Sequence, residues 1–203
     1  ASTRSDATVA VDDDGWVSRA AYKLLGALDD LAVTVPPRAV DVGSSTGGFT
    51  QVLLDQGAER VYAIDVGTDQ LAPELRGDPR VVTHEQTNAR DLGLPHVEDQ
   101  PVGLVVADVS FVSLTMLLAA VLGVVHDRGA ALLLVKPQFE VGRERLGKGG
   151  VVREPELRDL AVDEVVQAAQ RHGWGCIGRA QSRLPGPAGN VEYFIHLRPA
   201  HLC

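Results

Sequence analysis

The chain is poor in cysteine, in aromatic side chains and in positive charge. Its two cysteines, Cys176 and Cys203, supply neither a disulfide framework nor a metal-ligand spacing, so no metal is expected and they read as a core thiol and a tail thiol. Near the N-terminus there is no basic start followed by an apolar stretch and a small-residue cleavage site, which excludes a secretory signal from the sequence given. The longest apolar run, residues 114–125, falls short of the roughly 20 residues a membrane-spanning helix needs. The expectation is therefore a soluble, cytoplasmic protein without a membrane partner. Nineteen Lys and Arg against 27 Asp and Glu leave a net charge of −8, the wrong sign for a protein that holds nucleic acid by its overall field. With 45% apolar residues in 203, one substantial core is within reach. Residues 1–15 are polar and include Asp12, Asp13 and Asp14; they read as a leader or linker, and residues 16–203 as one domain.

What is present is an alternation of strand-like and helix-like segments. Residues 17–31 carry Ala20, Ala21, Leu24, Leu25 and Leu28 at helical spacing, with Ser18 as a possible cap. Residues 39–42 form a short strand that runs into a glycine-rich turn, a helix to Gly57 and a strand at 61–64. A short helix near 71–75 and a strand at 81–83 follow. The apolar runs 102–107 and 130–135, ending at Asp108 and Lys136, look like buried parallel strands on either side of a buried helix at 114–125. A long amphipathic helix at 156–172 precedes strands near 176–182 and 191–197, joined through Pro185-Gly186-Pro187. This pattern predicts a doubly wound α/β sheet with a closing antiparallel hairpin and helices on both faces.

In such a sheet a ligand sits beyond the carboxyl ends of the strands, against the first turn. Here that turn is Asp41-Val42-Gly43-Ser44-Ser45-Thr46-Gly47-Gly48-Phe49-Thr50. Its glycine spacing is not the Gly-x-Gly-x-x-Gly of dinucleotide binders. Backbone N–H groups opening a helix suit a carboxylate as well as a pyrophosphate, and Asp41 would repel a pyrophosphate but attract the cationic groups of S-adenosylmethionine. Asp65, about 20 residues on at a strand end, is placed to accept ribose hydroxyls, with Val66 beside it; Asn88 and Ala89 follow the third strand, where an adenine edge would be read. S-adenosylmethionine is the expected cofactor.

Asp108 and Lys136 both fall at the ligand side of the sheet. A lysine after five apolar residues is unusual, because lysine is rarely buried unless paired; Glu192 and Lys23 could complete a charged cluster with them. One stretch runs against the acidic balance: residues 136–153 hold five basic and two acidic side chains, a net of +3. Its Arg143, Arg145, Lys148 and Arg153, on a glycine-rich loop expected to be mobile, are candidate RNA contacts together with Arg19.

Five segments, residues 17–24, 41–50, 107–111, 135–140 and 189–194, together resemble the hemolysin-A-like (TlyA) branch of the FtsJ-type ribosomal RNA methyltransferases, over about residues 16–198. The resemblance implies a Rossmann-like class I methyltransferase with a seven-stranded, mostly parallel sheet, and a catalytic Lys-Asp-Lys-Glu set on Lys23, Asp108, Lys136 and Glu192. It implies methylation of a ribose 2′-hydroxyl of cytidine in ribosomal RNA, with ribosomal RNA or subunits as partner. It also implies a small RNA-binding domain ahead of the catalytic one, of whose connection residues 1–15 would be a remnant. The linker written Arg-x-Trp-Val in some members reads Asp14-Gly15-Trp16-Val17 here.

A ribose hydroxyl becomes a good nucleophile when a base takes its proton. Lys136 is the expected base, its neutral form favoured by partial burial and by the Lys23 ammonium nearby, with Asp108 and Glu192 orienting the lysines. Other methyl-transfer chemistries lack their residues: Asp108-Val109-Ser110-Phe111 is not the Asp/Asn-Pro-Pro-Tyr/Phe of amino methylation, and Cys176 lies on a late strand away from the cofactor turn. A membrane-active hemolysin and a cofactor-binding scaffold without catalysis remain as alternatives from other classes.

Overall fold

The computed structural model describes residues 14–203; residues 1–13 of the expected leader lie outside the described residues. Seven strands form a single sheet: β1 (Arg38–Val42), β2 (Arg60–Ile64), β3 (Val81–His84), β4 (Val102–Ala107), β5 (Val125–Val135), β6 (Trp174–Gln181) and β7 (Tyr193–Pro199). Their order is β3-β2-β1-β4-β5-β7-β6. The first five are parallel, and β7 runs antiparallel to both β5 and β6. The polarity follows from the connections: helical crossovers return the chain for parallel pairing, whereas the short turn after β6 can only fold it back.

Helices α1 (Ala20–Asp30), α2 (Gly48–Asp55) and α3 (Pro73–Arg76) cover one face, and α4 (Leu118–Gly123) and α5 (Pro155–Arg171) the other. All strands but the edge strand β6 therefore feed two cores. In β7, Phe194 points to the α1/α2 side and packs on Phe49, ring centroids 6.1 Å apart, while Ile195 and Leu197 enter the α4/α5 side. Burial of both sheet faces is why β4 and β5 read as continuous apolar runs.

Three elements differ from the sequence reading. Ser18 does not cap α1; the helix begins at Ala20 with Arg19 before it, and Ser18 Oγ is buried without a partner. Residues 114–125 do not form one helix: a tight turn at Leu114–Met116, whose first amides bond to Ser113 Oγ and Glu140, precedes the two-turn α4. Strand β5 starts at Val125 rather than 130, because the β4–β5 register jumps from Val102↔Val125 to Leu104↔Ala130. That bulge carries His126, Asp127 and Arg128 into solvent, so polar residues hide a strand start that backbone pairing creates.

The packed unit reaches upstream of α1. Gln51 of α2 accepts from Val17 N at 2.8 Å and donates to Gly15 O at 2.7 Å, strapping the segment before α1 onto α2, with Trp16 and Val17 against the core. Strand order reverses between β1 and β4, and the carboxyl ends of these two strands form the crevice where the candidate site lies.

Candidate active site

The turn after β1 is built by backbone demands. Gly43 has φ +80, and a Cβ there would stand 2.3 Å from the Asp108 carbonyl oxygen, so only glycine lets the exits of β1 and β4 meet. Gly47 also has positive φ, but its missing Cβ leaves room for Leu71 and Leu75, and Gly48 makes room for the start of α1. All three glycines expected to let a ligand approach thus make room for protein atoms, and Gly43 and Gly48 also line a cavity. Asp65 fixes the turn from the next strand: one carboxylate oxygen accepts from Ser45 N and the other from Gly67 N, both at 2.7 Å.

Two adjoining cavities open over the strand ends. The lower, of about 580 Å³, is lined by Asp65, Val66, Asn88 and Ala89 as expected, together with Ile64, Val109, Phe111, Val112 and Leu117. Asn88 Oδ1 accepts from Arg90 N at 3.0 Å, which orients its carboxamide. The upper cavity, of about 640 Å³, is lined by Ser44, Thr46, Gly48 and Phe49 on one side, by Arg19, Lys23 and Lys136 on another, and by residues 184–187 and Gly189 as a rim. Gly43, Ser45, Asp108 and Ser110 line both. An elongated ligand in the lower cavity would thus meet a second one in the upper cavity beside Asp108.

Asp41 and Thr50 line neither cavity. Asp41 is wholly buried behind the turn, where one oxygen accepts from Thr50 Oγ1 at 2.7 Å and the other has no partner. Direct attraction of a cationic ligand is thereby corrected to a structural tie between β1 and α2. Burial pushes the Asp41 carboxyl up to about 7, with the Asp108 and Asp65 charges adding to it and the Thr50 bond opposing. A carboxyl raised on folding binds extra protons in the native state, so its stabilising contribution is present below pH 4 and declines as pH rises to about 7. Asp41→Asn, which keeps the shape and an acceptor for Thr50, is expected to gain stability relative to the parent as pH rises from 4 to 8. Thermal unfolding of both proteins across that range checks this; a constant difference would contradict it.

The four expected catalytic residues are brought together as two ion pairs. Lys136 Nζ lies 2.6 Å from Asp108 Oδ1 and donates to Ser110 Oγ at 3.0 Å. Lys23 Nζ donates to Glu192 Oε2 at 2.6 Å. Each lysine side chain is 10% exposed and presents its amine to the upper cavity, whereas Glu192 is fully buried. Its other oxygen has no partner and lies beneath Gly186, where a Cβ would come within 2.4 Å of it. Glu192 touches Lys23 and not the cavity, so it can act only through that lysine, as a positioning residue. One reading changes: Lys23 is paired with its own carboxylate, so it does not act on Lys136 as a lone ammonium.

Of the candidate RNA contacts, Arg19 lines the upper cavity. Arg143, Arg145, Lys148 and Arg153 are exposed on the segment after β5, do not line either cavity, and pair with no carboxylate among the described residues. The segment is less free than its glycines suggest: Val141 and Val152 are buried against Ala161 at its two ends. Cys176, expected in the core, is half-buried on the edge strand β6.

Several site residues were not singled out from sequence. Ser110 holds Lys136, Phe111 stands 92% exposed at φ +66 beside Phe139, and Glu140 bonds Ser113 Oγ and Leu114 N, pinning the Asp108–Leu114 connection to the one after β5. Burial raises the Glu140 carboxyl above its ordinary range. Ser110, Phe111 and Glu140 lie inside the recognised segments, but their contacts arise from turns whose shape periodicity does not carry.

The sheet order, the glycine turn and the crevice at the β1/β4 switch define a Rossmann-like methyltransferase fold. An S-adenosylmethionine-dependent methyltransferase from Mesorhizobium loti shares it at 16% identity with a TM-score of 0.64, over 87% of this chain and 97% of that one. The chain belongs to the FtsJ-like methyltransferase family, whose model matches residues 16–199. The 16S/23S rRNA (cytidine-2′-O)-methyltransferase TlyA of Mycobacterium tuberculosis is 53% identical over 193 residues, covering 94% of this chain and 72% of the relative. A crystal structure from Lactococcus lactis bearing a hemolysin label superposes with a TM-score of 0.86 at 41% identity, over 90% of this chain and 88% of that one. Among the described residues, no helix is long and apolar enough to cross a membrane.

Proposed function

We propose that this protein transfers a methyl group from S-adenosylmethionine to the ribose 2′-hydroxyl of a cytidine in ribosomal RNA. The observation that carries the reading is the junction of the two cavities, where Asp108 and Ser110 belong to both walls and Lys136 Nζ is held at their border. The residues fit the cofactor: the close Gly43 turn and the carboxylate of Asp65 suit a nucleoside in the lower cavity, with apolar Ile64, Val109 and Leu117 against its base. When bound, S-adenosylmethionine supplies an electrophilic methyl on sulfur.

The remaining work falls to the chain. Asp108 and Ser110 hold the Lys136 amine toward the junction, and in its neutral form that amine would accept the 2′-hydroxyl proton as the O–C bond forms and the S–C bond breaks, leaving a neutral thioether. Lys23, fixed by Glu192, positions the ribose from the opposite wall. The two cavities would bring cofactor and ribose together at their shared wall, and positioning of this kind contributes roughly 7 to 11 kcal/mol for well-oriented reactants. Cytidine and ribosomal RNA as the target rest on the activity named for the Mycobacterium tuberculosis relative and on the resemblance carried by the five segments. Incubation with labelled methyl donor and ribosomal subunits lacking the modification is expected to label the rRNA. Absence of label, with leakage of liposomes at physiological salt, would overturn the reading in favour of a membrane activity.

Because the chain is acidic overall, RNA would be held locally, by cations that pair with no carboxylate among the described residues. Affinity for ribosomal subunits is expected to fall steeply with salt, and each of Arg143, Arg145, Lys148 and Arg153 changed to Ala should reduce the slope of log affinity against log salt by about 1 if it contacts a phosphate. Unchanged slopes would show that RNA binds elsewhere.

A further inference from the structure

Asn190 precedes Glu192 by two residues, yet its side chain serves a different part of the molecule. It is 2% exposed; its Oδ1 accepts from Val152 N at 2.9 Å and its Nδ2 donates to Gly150 O at 3.1 Å. Its backbone carbonyl accepts from Gly186 N at 2.9 Å, closing the turn that roofs Glu192. One buried carboxamide thus joins the cationic segment after β5 to the rim of the upper cavity. The segment needs such a tie. Gly149 and Gly150 both have positive φ with open space around them, and ordering glycine costs more conformational entropy than ordering any other residue.

We propose that Asn190 is a positioning residue for RNA: it docks the segment bearing Arg143, Arg145, Lys148 and Arg153 beside the cavity, so that phosphates held there place the target ribose before Lys136. The proposal rests on the rRNA methyltransferase reading above. The segment keeps other anchors, since Val141 and Val152 are buried and Arg158 Nε donates to Val152 O at 3.0 Å. Loss of Asn190 should therefore loosen the segment without unfolding the domain.

The test is steady-state methylation of ribosomal subunits by the wild type, Asn190→Ala, the pair Arg143→Ala/Arg145→Ala, and the three changes combined. Asn190→Ala is expected to raise the KM for subunits about tenfold while kcat and cofactor affinity stay within about twofold. The combined variant should raise KM by less than the product of the separate effects, because cations that are no longer docked have little left to lose. Should the alanine variant fail to fold, Asn190→Asp serves the same comparison, keeping the acceptor for Val152 and setting a carboxylate oxygen against Gly150 O in place of the donor. An unchanged KM, effects that multiply, or a parallel fall of kcat and cofactor affinity would overturn the proposal, the last showing that Asn190 acts through the Lys23–Glu192 pair. A wild type that methylates no subunit would instead sink the functional reading, and this proposal with it.

Discussion

Replacing Lys136 by alanine is expected to slow methyl transfer to ribosomal subunits by about 10²- to 10⁴-fold, the range that a positioned general base supplies. Cofactor affinity should change little, because the lower cavity is built at the exits of β1, β2, β3 and β4, which do not include Lys136. Activity should not vanish, since the two cavities still align the reactants. The fold should also tolerate the change: Lys136 sits at the end of β5 with its amine at a cavity wall, and the Asp108 side chain left behind is 17% exposed and open to water. Single-turnover rates with saturating cofactor and subunits separate these contributions. A variant methylating at the wild-type rate would remove Lys136 from the chemistry.

Glu192 should behave differently, because its carboxylate has no access to water. Glu192→Ala removes the one carboxylate paired with the Lys23 ammonium among the described residues, and removing one member of a buried pair typically costs about 3 to 5 kcal/mol. We expect a large loss of thermal stability and of activity together. The double variant Lys23→Met/Glu192→Leu removes both charges and should recover much of the stability without recovering the rate. Unfolding temperatures and rates measured on the three proteins distinguish a catalytic pair from a merely structural one. Full activity in the stable double variant would show that Lys23 and Glu192 only hold α1 against β7.

The contrast between these two lysines marks what the amino-acid pattern could and could not convey. Strands β4 and β5 were legible because both of their faces are buried, and the polar residues that end them, Asp108 and Lys136, stood out as the first charges after apolar runs. Their pairing followed from neighbouring parallel strands. Glu192 was legible as a site residue through the resemblance, but its depth was not, because the turn at 186–190 that covers it is shaped by backbone bonds such as Gly186 N to Asn190 O. The glycine turn stands out in the sequence, but what fills the space at each glycine does not: the Asp108 backbone crowds Gly43, and Leu71 and Leu75, from α3 and the residues before it, fill the space at Gly47. Asp41 shows the same limit: its residue type suggested a charge facing a ligand, and tertiary burial made it a tie to Thr50. The start of β5 was missed because a bulge places polar residues in a strand.

The most direct measurement of the central claim is the position of the transferred methyl. Ribosomal RNA labelled by the wild-type protein would be hydrolysed in alkali, which cleaves each phosphodiester through the neighbouring 2′-oxygen and therefore spares the bond after a 2′-O-methylated ribose. We expect the label in an alkali-resistant dinucleotide that yields 2′-O-methylcytidine on enzymatic digestion, appearing about 10²- to 10⁴-fold more slowly with Lys136→Ala. Label recovered in mononucleotides carrying a methylated base would contradict the account.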